Sequence, residues 1–96
     1  MGKKLSPEQN DLYKRVDEVL HYLWDPIGVS GVPEARDEYH SYLPVVFSML
    51  IRDCPKNEIS EYLVNIEVDS MGLPKNKINA DSIADLLIQW KAKIFE

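Results

Sequence analysis

Four carboxylates and a histidine crowd one stretch of this chain: Asp25, Glu34, Asp37 and Glu38, with His40 just beyond. Carboxylate oxygens and an imidazole at such spacing could hold a divalent cation. The same residues have a plainer use. Aspartate before proline, as in Asp25-Pro26, starts a turn through its own side chain, and acids at 34, 37 and 38 suit the positive end of a helix. The plainer use is preferred, and neither a metal nor a cofactor is expected. Nucleophilic chemistry has less to work with. Cys54 is the single cysteine, only His21 and His40 could serve it as a base, and no local pattern couples them. The sequence holds no glycine-rich phosphate loop, no paired-histidine zinc motif and no cysteine pair. It is therefore read as a binder with no catalytic residues. A small metal-dependent enzyme built on Asp25, Glu34, Asp37 and His40 is the outlying alternative.

A sharper pattern lies further on. Residues 53 to 69 carry five acids (Asp53, Glu58, Glu61, Glu67, Asp69) against Lys56 alone. Helical positions advance by about 100°, which places Glu58, Glu61, Asn65 and Asp69 on one face. Beside them runs an apolar set, Val64, Val68 and Met71, distinct from the stripe expected to face the core. Either this helix is buried on two sides with a solvated acidic edge, or the strip is a docking surface for a basic protein. Tyr39 and Tyr42, three apart beside Asp37 and Glu38, form a second candidate surface, because a tyrosine ring buries area while its hydroxyl stays hydrogen-bonded. The candidate partner-binding residues are accordingly Asp37, Glu38, Tyr42, Glu58, Glu61, Val64, Val68 and Asp69. Burial of Val64, Val68 and Met71 in a homo-oligomer, as a self-associating structural or regulatory subunit, is the alternative.

The elements that must position these residues are helical. Ser6-Pro7-Glu8 is a strong start signal, and Leu12, Val16, Val19, Leu20 and Leu23 continue it as one stripe to about residue 23. The run from Trp24 to Pro33 holds two prolines and two glycines (Pro26, Gly28, Gly31, Pro33) and cannot continue it; Trp24 is read as its core anchor. A second helix spans roughly 39 to 53 on Tyr39, Leu43, Val46, Phe47 and Leu50, beginning near His40 or Ser41 so that Pro44 falls in its first turn. A third runs from about 56 to 70 on Ile59, Tyr62, Leu63 and Ile66, with Gly72 as its stop. Asn79 is expected to cap a fourth, from 80 to about 94, on Ile83, Leu86, Leu87, Trp90 and Ile94. The fold class is all-α: a compact bundle or orthogonal array of about four helices, one domain over residues 1–96.

Composition narrows the partners. The net charge is −5, which opposes binding to a phosphate backbone and favours a basic protein partner. The longest apolar stretch, Leu43 to Ile51, is far short of the roughly 20 residues a bilayer requires. No membrane or nucleic-acid role is expected. A lone cysteine and an N-terminus without an apolar run fit a reducing cytoplasm.

Three runs carry a resemblance: Trp24-Asp25-Pro26-Ile27-Gly28-Val29, then Pro33 to Tyr39 with Tyr42, then Met71-Gly72-Leu73-Pro74. Over roughly residues 16 to 90 the chain resembles a family of short bacterial helical proteins, some encoded beside secreted toxins. The resemblance implies an immunity protein, a stoichiometric neutraliser of a toxin. It brings no catalytic residues with it.

Overall fold

A computed structural model describes residues 5–29 and 31–96. Ser6 opens the first helix with a capping box: its Oγ accepts from the Gln9 N–H at 3.1 Å, and its own N–H donates to Gln9 Oε1 at 3.0 Å. Helix α1 runs Pro7–Glu18, burying Leu12 and Val16, and passes directly into a π-helical turn, Val19–Trp24. There the Asp25 N–H reaches back five residues to the Leu20 carbonyl, at 3.1 Å. The wider turn changes which side chains face inward. Leu23, expected on the inner stripe, is exposed, while His21 and Trp24 are buried. Arg15 pairs with Glu18 at 3.1 Å on the wet side.

Beyond Asp25 the chain makes a single 3-10 turn, Pro33–Ala35, and a series of turns over 37–42. This segment is clamped to α1. The Arg36 guanidinium donates two bonds to the Asp17 carboxylate, both 3.0 Å, and His40 Nε2 lies 3.3 Å from the same group. Helix α2 then covers Leu43–Ile51 with Pro44 in its first turn. It starts later than the sequence suggested, because a proline fits the first two helical positions best, and an earlier start would place its ring against a preceding carbonyl.

Helix α3, Lys56–Asn65, also ends in a π turn, Ile66–Ser70. Gly72 stops it as expected, in the left-handed region at φ 66°, and the Leu73 N–H returns to the Glu67 carbonyl at 2.8 Å. Helix α4, Lys77–Phe95, is capped by Asn76, whose side chain accepts from the Asn79 N–H at 3.2 Å. The expected cap, Asn79, lies inside the helix. The earlier start lets Lys77 reach Asp81 one turn on, at 2.7 Å, and lets Ala80 face inward.

Helix α4 organises the bundle, packing against α1, α2, α3 and the π turn after α1. Its buried face is Ala80, Ile83, Ala84 and Leu87; the two alanines leave room for α3 to approach. At that contact the buried Ser60 hydroxyl donates to Asp81 at 2.5 Å. All the buried apolar residues join one core. The fold is an all-α compact bundle, and among the described residues no helix is long and apolar enough to cross a membrane.

The clamp on Asp17 sets a pH dependence. Burial pushes its carboxyl upward, but the bonds and charges of Arg36 and His40 outweigh this and hold it below the usual carboxylate range. A depressed acid stabilises the fold above its unfolded pKa and loses that contribution as pH falls. Asp17→Asn should therefore cost about 1 kcal/mol at pH 7. The deficit in Tm should shrink as melts are taken below about pH 4.

Candidate functional site

The end of the first π turn aims the Trp24 indole into the protein, where it is buried. Its Nε1–H donates to Glu67 Oε2 at 2.6 Å, across 43 residues of sequence. Glu67 sits in the second π turn and is only 3% exposed. Ionised carboxylates are rarely buried this far unless donors meet them. Here the indole meets one oxygen. The other has no hydrogen bond among the described residues and is not sealed from solvent. Glu67 is among the residues lining a cavity of about 390 Å³, with Trp24-Asp25-Pro26, Leu73-Pro74-Lys75-Asn76 and Asn79.

Asp25 continues the polar network. It caps the first π turn in a left-handed conformation, φ 32°. Its Oδ1 accepts from the Val29 N–H and from the Tyr39 hydroxyl, both at 2.7 Å. The Tyr39 oxygen in turn accepts from the Ile27 N–H at 3.3 Å. Burial, and then the Asp25 carboxylate, push the Tyr39 phenol far above its ordinary range, so it is a permanent donor. The Trp24 ring packs against Tyr39 at 5.4 Å and Tyr42 at 6.2 Å between centroids. Asp25 is thus the turn residue its sequence context indicated, and Trp24 the expected anchor. The three sequence runs that stood out meet around this indole.

The other sequence candidates fall into separate groups. Glu58, Glu61 and Asp69 lie exposed with Asn65 along the outer face of α3 and its π turn, and none has an ion pair or hydrogen-bonded side chain among the described residues. Val68 beside them is 40% exposed. Val64 is a correction: it is 7% exposed and belongs to the core, because the buried face of α3 is wider than the Ile59–Ile66 stripe alone. Met71 is also partly packed on that core. Asp37 and Glu38 are exposed in the turns before α2, whereas Tyr42 is half-buried edge-on against Trp24. Tyr62 is partly packed on the core, and its phenol is raised by burial and then by Tyr42.

The metal constellation does not assemble. Asp25 is turned toward Val29 and Tyr39, and His40 toward Asp17. Among the described residues no three His, Cys, Asp or Glu side chains are grouped to hold an ion. The carboxylate that matters most, Glu67, was counted in the sequence only as one more acid. Its spacing of four from Leu63 and seven from Ser60 placed it on the buried stripe, and that was the available signal. The chain matches no protein-family model, no curated protein and no solved structure.

The indole–carboxylate bond makes an asymmetric prediction. Trp24→Phe keeps most of the ring but strips Glu67 of its donor, and should cost about 2–3 kcal/mol in urea unfolding. Adding Glu67→Met, which removes the stranded acid as well, should recover at least half of that loss.

Proposed function

We propose that this chain is a protein-binding protein that docks a basic partner on the outer face of α3 and its π turn, in the manner of an immunity protein held against a toxin. The observation that carries the reading is the state of Glu58, Glu61 and Asp69: exposed, on one face, and without cationic partners of their own among the described residues. A fold of net charge −5 that leaves its acids unneutralised along one helix projects a negative field outward, which accelerates encounter with a basic protein. Val68 supplies an apolar contact inside that field, and Asp37 and Glu38 extend it past Tyr62 and Tyr42. The resemblance to short bacterial proteins encoded beside secreted toxins supports the same class of partner.

Self-association is the weaker reading. With Val64 in the core and Met71 partly packed on it, Val68 alone remains of the apolar strip, well short of the roughly 1,000 Å² that a stable interface buries.

The test is direct. The protein should co-purify with the product of its neighbouring gene and bind it with a Kd below micromolar. Glu58→Lys, Glu61→Lys and Asp69→Lys together should slow association at least about tenfold at low salt and flatten its salt dependence, with Tm little changed. No complex at micromolar concentration, or unaltered kinetics in the triple variant, would contradict the proposal.

A further inference from the structure

The cavity beside Trp24 is a second site, separate from the acidic outer face. Glu67 and Glu58 are nine positions apart, which sets them about 180° from one another around a helix. Whatever docks on the outer strip does not reach this carboxylate.

Three features converge there. A carboxylate nine-tenths removed from solvent keeps one oxygen without a hydrogen-bond donor. Glu67 lines a cavity of about 390 Å³, and that oxygen is not sealed from solvent. Pro74, Lys75, Asn76 and Asn79 line the same cavity. Lys75 lines the same cavity but forms no ion pair with Glu67. A half-satisfied buried carboxylate is a strong attractor for a cation that also carries N–H donors, because such a group supplies both the charge and the missing hydrogen bond. A guanidinium or primary ammonium does both, and among the described residues no three His, Cys, Asp or Glu side chains are grouped to hold a metal ion instead.

We propose that this cavity binds a small organic cation bearing a guanidinium or primary ammonium group, with Glu67 as its anion and Trp24 holding that anion in place. Glu67 accepts from the ligand through its free oxygen while the other stays bonded to the indole. Lys75 at the rim disfavours entry of a like charge.

The indole reports on this directly. In a titration of the whole protein at constant ionic strength, methylguanidinium and ethylammonium should each shift the Trp24 indole N–H resonance saturably. The midpoint should be on the order of 1–10 mM, with the Trp90 indole as an unshifted reference. Glu67→Gln keeps an oxygen for the indole but removes the charge, and should weaken binding about tenfold or more. Lys75→Met should strengthen it about threefold. Tetramethylammonium, which has charge but no N–H, should give no saturable shift. No saturable response to either probe up to about 100 mM, an equal response in Glu67→Gln, or an equal response to tetramethylammonium would overturn the site. If Glu67→Gln fails to fold, Lys75→Met and the tetramethylammonium comparison decide the matter on folded protein. The triple reversal on the α3 face should leave the response intact, so the two sites stand or fall separately.

Discussion

The hydrogen bond between the Trp24 indole and the Glu67 carboxylate is the constraint around which this bundle is arranged. It joins the end of one helix to the end of another across 43 residues, and both residues are buried. Both helices reach it by the same device. Each changes from α to π in its last turn, over Val19–Trp24 and Ile66–Ser70, and the wider turn swings Trp24 inward. Each is followed within two residues by a left-handed residue, Asp25 or Gly72, which sends the chain back across the top. The Asp25-Pro26 and Leu73-Pro74 segments are thereby brought face to face. A cavity between them, with Glu67 among its lining residues, is the geometric result.

Polarity is divided cleanly by this arrangement. The inner side of the third helix holds Ser60 and Glu67, both buried and both tied to other helices, Ser60 to Asp81 and Glu67 to Trp24. The outer side holds acids that are tied to nothing described. One group of polar residues specifies the fold, since a buried carboxylate tolerates only the packing that gives it a donor. The other is left to the surroundings. The helix thus separates buried, bonded polar groups on one face from exposed acids on the other, and the 37–42 turns, pinned by Asp17 and by Tyr39, add the exposed Asp37 and Glu38.

Much of the fold was legible because a 3.6-residue repeat is hard to disguise. Leu12, Val16, Leu20, Ile59, Leu63, Ile83 and Leu87 all lie on expected stripes and all are buried. The misreadings share physical causes. Leu23 turns outward and His21 inward because a π turn breaks the repeat without leaving a mark in composition. Val64 looked spare because a sequence cannot say how wide a face α4 covers. The start of α4 shifted from Asn79 to Asn76 because two asparagines three apart signal equally well, and it is Asn76 whose side chain accepts from a first-turn N–H. The acidic outer face was visible from charge and period alone. The buried acid was not, because Glu67 differs from Glu58 and Glu61 only in its phase against Leu63.

The indole proton offers the most direct measurement of that central bond. Two tryptophans share this chain, and Trp90 is half-buried with no hydrogen bond to its indole among the described residues, so it serves as an internal standard. After transfer into D2O, the Trp24 indole N–H should exchange at least about a hundredfold more slowly than that of Trp90, at the pace of global unfolding. Comparable exchange at the two indoles would mean that the bond opens independently of the fold, and would contradict the account.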